Sequence, residues 1–156
     1  MSETNYLFFD AIYANDISEV LRLLDEGVSP YEKNNAHETP LIYASSHGQL
    51  DIVKILLDRI ERGGGHEALP VLEAAVPDDT SVLDFFLQQG ADPNVADEHG
   101  HTPLMEAASW HNKEAVRLLV QYGADVNAVN MYGKSAVDAA EAQGYVDIAH
   151  LLKLQL

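Results

Sequence analysis

Thr102-Pro103-Leu104-Met105-Glu106-Ala107-Ala108, then Ala115-Val116-Arg117-Leu118-Leu119-Val120, then Gly123-Ala124-Asp125-Val126-Asn127 is the passage whose reading decides the fold. A threonine ahead of the first apolar run caps a helix through its hydroxyl. Proline at the first helical position has no N–H to lose and a φ already set for a helix. Ala107 and Ala108 are small, so a neighbouring element can approach this helix closely. The second run, with Val116, Leu118 and Leu119, is expected to form a helix that fills the space between neighbours. Gly123 ends that helix, because the residue just past a helix often needs positive φ. Asp125-Val126-Asn127 then begins an extended turn. One such hairpin cannot cover its own apolar face, so its stability must come from stacking on others.

The others are present. Thr39-Pro40-Leu41-Ile42-Tyr43-Ala44 is followed by Gly48 and Ile52-Val53-Lys54-Ile55-Leu56-Leu57. Leu69-Pro70-Val71-Leu72-Glu73-Ala74-Ala75 closes with Gly90-Ala91-Asp92-Pro93-Asn94. Ala11, Val20, Leu23-Leu24 and Gly27 align a copy before these. Ser135-Ala136-Val137, Ala140, Gly144 and Leu151-Leu152 align one after. The positions equivalent to Thr102 are Tyr6, Thr39, Leu69 and Ser135, spaced 33, 30, 33 and 33 along the chain.

This pattern resembles the ankyrin repeat, with its period of about 33 and its Thr-Pro-Leu-His-x-Ala signature. The resemblance covers nearly the whole chain, and 102–127 is close to consensus. It implies an all-α fold, an ankyrin-repeat solenoid: a curved stack of five helix pairs joined by short finger turns. The expected organisation is one domain over 1–156, with repeats at approximately 2–34, 35–63, 64–96, 97–129 and 130–156. It also implies a protein–protein interaction module, acting as a scaffold or inhibitor.

Three departures stand out. After Leu56-Leu57 the chain reads Arg59-Ile60-Glu61-Arg62-Gly63-Gly64-Gly65-His66, three residues short of a full finger. Consecutive glycines suit unusual φ values and mobility, but they lack the lysine and hydroxyl residue of a phosphate loop. In the third repeat Pro77 is expected to shorten the first helix, and Asp79 or Thr80 to cap the second. The chain closes on Leu152-Lys153-Leu154-Gln155-Leu156 with no finger. These leucines either pack back on the last hairpin or meet a partner. The first repeat carries Asp16, Glu19, Arg22, Asp25 and Glu26, the polar outer face of an end repeat.

Composition bounds the function. The 156 residues are 47% hydrophobic, enough for a core, with no apolar run long enough for a spanning helix. The start, Met1-Ser2-Glu3-Thr4, lacks the basic region of a secretory signal. There is no cysteine, hence no disulfide, thiolate metal site or cysteine nucleophile, which is compatible with a reducing, cytoplasmic setting. Net charge is −16. Such a surface repels phosphate backbones and anionic lipids and favours a basic protein. A purely solubilising role is the alternative reading of the charge. From Gly63 to Asn112 there is no Lys or Arg, whereas Glu67, Glu73, Asp78, Asp79, Asp84, Asp92, Asp97, Glu98 and Glu106 fall in that stretch.

Seven histidines and many carboxylates offer acid–base pairs, but there is no nucleophile elbow, glycine-rich phosphate fingerprint or metalloprotease motif, so no enzyme is expected. His99, His101 and His111 with Asp97 and Glu98 suit zinc by ligand type. Histidine is also an ordinary contact residue on ankyrin fingers, and neither a metal nor another cofactor is expected. The resemblance instead implies binding through a concave face of finger tips and first helices. Carried over position by position, that face takes Tyr13 from repeat one and Asn35, Glu38, Ser46 and His47 from repeat two. Repeat three gives His66, Val76 and Pro77. Repeat four gives Glu98, His99, His101, Ser109 and Trp110. Repeat five gives Met131, Tyr132, Lys134 and Gln143. Trp110, the only tryptophan, sits at a variable position beside the finger of Met131 and Tyr132. Tryptophan and tyrosine are enriched at binding hot spots; the alternative is an indole that packs on its own finger.

The expected partner of this monomeric chain is thus a basic protein, not nucleic acid or membrane. Within that class an immunity or antitoxin-type inhibitor of a basic toxin is a sharper alternative. Nucleic-acid mimicry is a further one, and a metal-dependent regulator or enzyme the most distant.

Overall fold

The computed structural model describes residues 3–63 and 70–155. They form ten helices and, among the described residues, no strand. The chain divides into two compact units, Met1–Pro70 and Val71–Leu156.

The first unit holds α1 (Glu3–Tyr13), α2 (Ile17–Asp25), α3 (Pro40–Ser46) and α4 (Leu50–Arg62). α1 packs on α2 and α3, and α4 packs on α2 and α3. Phe8, Ile12, Val20, Leu23, Leu41, Ile52 and Leu56 are buried at the centre. In the second unit α5 (Val71–Ala74), α6 (Ser81–Gln88), α7 (Pro103–Ser109), α8 (Lys113–Gln121), α9 (Ala136–Ala142) and α10 (Val146–Lys153) pair as α5–α6, α7–α8 and α9–α10. The first helices α5, α7 and α9 pack in succession. Ala107, Ala108 and Ala140 are fully buried, as close helix approach requires.

The local chemistry follows the repeat. Thr39 and Thr102 accept hydrogen bonds from the N–H groups of Ile42 (3.3 Å) and Met105 (3.4 Å), with Pro40 and Pro103 starting their helices. Ser135 makes the reciprocal version: its hydroxyl accepts from Asp138 N–H at 3.2 Å, while Asp138 Oδ2 accepts from Ser135 N–H at 2.8 Å. Gly123 has φ +89°, the left-handed conformation expected past α8. The turn between α7 and α8 puts His111 in the same region, at φ +60°. Asn112, next along, caps α8 through its Oδ1 and donates from Nδ2 to the carbonyls of Ala75 (3.3 Å) and Pro77 (2.5 Å). In the first unit Gln49 donates to the Ile12 carbonyl at 2.6 Å. These amides tie α3–α4 to α1–α2 and α7–α8 to α5–α6.

Several expectations are refined. α8 buries Ala115, Val116 and Leu119, whereas Leu118 is only half-buried. The leucine that fills the core is thus Leu119. α5 is a single turn, and at α6 Asp79 accepts from Ser81 N–H at 2.9 Å while the Thr80 hydroxyl makes no cap bond. At the first departure α4 runs on to Arg62, and Gly63 caps it at φ −75°. The lost finger residues are partly replaced by helix. Gly64, Gly65, His66, Glu67 and Leu69 lie outside the described residues, as does Leu156. Leu152 is buried and Leu154 is 70% exposed.

Candidate functional site

The second unit presents first helices and fingers on one side, and each finger is built around one side chain. Asp97 Oδ1 accepts from the N–H groups of His99 and His101, both at 2.8 Å. Asn130 Oδ1 accepts from Tyr132 and Lys134, both at 3.0 Å. In the first unit Asn34 does the same for Ala36 (2.9 Å) and Glu38 (3.0 Å). A short polar side chain at the finger's head replaces the backbone partners that a hairpin loop lacks. The fingers of 97–102 and 130–135 are joined by a hydrogen bond from Met131 N–H to the His99 carbonyl at 2.9 Å. Gly100 makes this approach possible. Its φ is +78°, and a Cβ there would sit 3.2 Å from the Asn130 Cα.

Burial pushes the Asp97 carboxyl up, but the N–H groups of His101 and His99 outweigh it and the net shift is downward. The acceptor is therefore held ionised. Asp97→Ala is expected to cost about 1 kcal/mol of stability, through two unpaired N–H groups. Asp97→Asn is expected to cost much less, because Asn34 and Asn130 already do the job. Denaturant unfolding of both variants checks this, and equal losses would show that charge, not the Oδ1 acceptor, organises the finger.

Between α7 and α9 lies an open groove of about 470 Å³. Met105, Ala139 and Ala142 give it apolar wall, and Glu106 and Asp138 line it with carboxylates. Glu106 and Asp138 are half-buried, whereas Lys134 on the same lining is exposed. The Ser135 backbone N–H and hydroxyl hold the Asp138 carboxyl below the ordinary range. His101 stands over this side, its Nδ1 3.5 Å from Asp97 Oδ2 and 4.0 Å from Glu106 Oε1.

The sequence-derived residues do not form one cluster. His101, Ser109, Lys134 and Gln143 line the groove. Trp110, Met131 and Tyr132 do not, but are 62%, 64% and 66% exposed on the same helix end and finger. Trp110 is the C-cap of α7. Glu98 and His99 are exposed on the finger tip, 3.7 Å apart. Tyr13 and His47 belong to the other unit, where their rings meet edge-on at 6.0 Å. There His47 Nδ1 contacts the Tyr43 carbonyl at 2.8 Å, and Asn35 donates to the Tyr6 hydroxyl at 3.1 Å. Val76 and Pro77 are half-buried, and His66 lies outside the described residues.

His111 turns out to serve a different purpose from His99 and His101. Its ring stacks on Tyr145 at 4.4 Å, and its Nε2 is 3.0 Å from Asp147 Oδ1. Lys113 donates to the other Asp147 oxygen at 2.8 Å. Lys113 first, and then His111, hold the Asp147 carboxyl far below the ordinary carboxylate range. This is a clamp between the α7–α8 and α9–α10 turns. Among the described residues no group of three His, Asp or Glu could hold a metal ion, and no helix is long and apolar enough to cross a membrane. The groove residues Met105, Asp138, Ala139 and Ala142 escaped the sequence reading. Only the heads of the fingers, Asn34, Asp97 and Asn130 at one phase of the repeat, carried a signal for this geometry.

Along 71–112, Asp78, Asp79, Asp92, Asp97 and Glu98 are exposed, and no lysine or arginine falls in that stretch.

Comparison with known proteins agrees with the repeat. A model described as ankyrin repeats (3 copies) matches residues 71–155, and one described as ankyrin repeats (many copies) matches 8–57. The chain is 36% identical over 101 residues to the ankyrin repeat, SAM and basic leucine zipper domain-containing protein 1 of Loxodonta africana, covering 60% of this chain and 21% of that protein. It is 42% identical over 50 residues to a putative ankyrin repeat protein of Fowlpox virus, covering 32% of this chain and 7% of the relative. An ankyrin repeat domain-containing protein of Stachybotrys chartarum is 37% identical over 86 residues, covering 54% and 4%. The chain thus spans about a fifth or less of the length of these relatives.

Proposed function

Because the chain belongs to the ankyrin-repeat family, we propose that it binds a basic protein through the finger and first-helix face of α7 and α9. Ankyrin repeats mediate protein–protein interaction, and the family is a non-enzymatic interaction module. The basic partner and the face are the proposal. What supports them is the juxtaposition of Trp110, Met131 and Tyr132, each more than 60% exposed, with a stretch of carboxylates that contains no lysine or arginine. Large apolar side chains left in solvent beside uncompensated charge suit a partner that brings apolar contact and positive charge together. Glu98, His99, His101, Ser109 and Lys134 complete the face. Tyr13 and His47, which belong to the other unit, are a separate candidate contact.

Affinity capture with the intact protein, read by mass spectrometry with cross-linking, tests the face. Association kinetics test the charge. Between about 0.01 and 0.15 M ionic strength the screening length falls from about 30 to 8 Å. The association rate with a captured partner is expected to fall several-fold over that range, while the fold, with its apolar core, hardly responds. A rate indifferent to salt would remove the case for a basic partner and leave the charge a solubilising role.

A further inference from the structure

We infer that the groove between α7 and α9 receives an arginine side chain of the partner protein, which rests on the reading of this face as protein-binding. The groove is within the size range of small-ligand sites. Its walls select the occupant. Met105, Ala139 and Ala142 offer apolar contact to an aliphatic stem, and Glu106 and Asp138 offer acceptors to a cationic head. A purely aliphatic side chain would cover the Glu106 carboxylate, and the Asp138 oxygen that Ser135 leaves free, without offering either a donor, which is costly. An acidic side chain would meet like charge. Between the two cations, guanidinium is the less strongly hydrated and presents its donors in a planar fork, so it loses less on entering a half-buried groove. Lys134 on the rim is exposed, so solvent screens its charge more than that of the half-buried carboxylates. Asp138 is kept ionised chiefly by Ser135, and among the described residues the one basic side chain within 4.0 Å of Glu106 is the His101 imidazole, through Nδ1.

The test is an NMR titration of the full ¹⁵N-labelled chain with N-acetyl-arginine amide, and with N-acetyl-citrulline amide, which has the same shape without the charge. The arginine compound is expected to give saturable shifts at the amides of Glu106, Ser109, Asp138 and Ala139. The citrulline compound should bind at least about tenfold more weakly, as loss of a charge-assisted contact implies. Glu106→Gln should weaken the arginine compound similarly while leaving the rest of the spectrum in place. Equal response to both compounds, or shifts spread over Asp78, Asp92 and Asp97 without saturation in the groove, would overturn the pocket. If the groove fails this test while a captured protein still cross-links beside Trp110 or Tyr132, only the arginine pocket is lost. If the groove responds but every cross-link lies elsewhere, the binding face is misplaced and the partner's arginine is lost with it.

Discussion

Leu119→Ala is expected to destabilise the protein by about 2–5 kcal/mol, read as a lower denaturant midpoint. Leu119 is fully buried in α8, one helical turn after the fully buried Ala115 and Val116, so truncation leaves a cavity that its neighbours cannot fill without shifting. A loss of that size is a large fraction of the stability of an ordinary domain. It is amplified in a repeat protein, where each hairpin is held chiefly by its neighbours. Leu118→Ala makes the comparison informative. The side chains are chemically identical and adjacent, but Leu118 is half-buried, so its truncation removes less apolar area from contact and should cost clearly less. Equal losses would mean that α8 is turned from the orientation described, with both leucines sharing the interface.

That pair also marks where the sequence stops being legible. Helix starts and stops are local: Thr-Pro fixes Thr39 and Thr102 as caps, and the glycine past α8 reports its own positive φ, so these could be read residue by residue. A Leu-Leu pair fits an apolar stripe at either leucine, and only packing on the neighbouring hairpin selects Leu119. The end of α4 was hidden for a related reason. Three finger residues are absent there, and nothing in Arg59-Ile60-Glu61-Arg62 stops a helix that has lost its terminating glycine turn. Exposure of Trp110 was legible, because it falls at a variable position of a well-kept repeat. The groove was not. Met105 reads as core, Asp138 as a capping residue and Ala139 as a packing residue, and all three are so used; only the spacing of α7 from α9 turns their remaining surfaces into one lining.

Trp110→Ala is expected to cost about 2 kcal/mol or more in partner affinity, roughly a thirtyfold rise in Kd, and well under 1 kcal/mol in stability. The asymmetry follows from its place. The indole is 62% exposed at the C-cap of α7, and the cap is made by its backbone N–H donating to the Glu106 carbonyl at 3.1 Å, a bond that alanine keeps. Removing the ring therefore takes little from the fold. On binding, the same ring would bury its area at the cost of freezing only two torsions. Stability and affinity have to be measured on the same preparations as Leu119→Ala, because a loosened repeat also binds poorly. If Trp110→Ala unfolds as readily as Leu119→Ala, the indole is a structural group. If both quantities stay at the wild-type level, the partner docks elsewhere. The exposed Leu154 beyond α10 and the edge-on pair of Tyr13 and His47 then become the next surfaces to truncate, since they too leave large side chains in solvent.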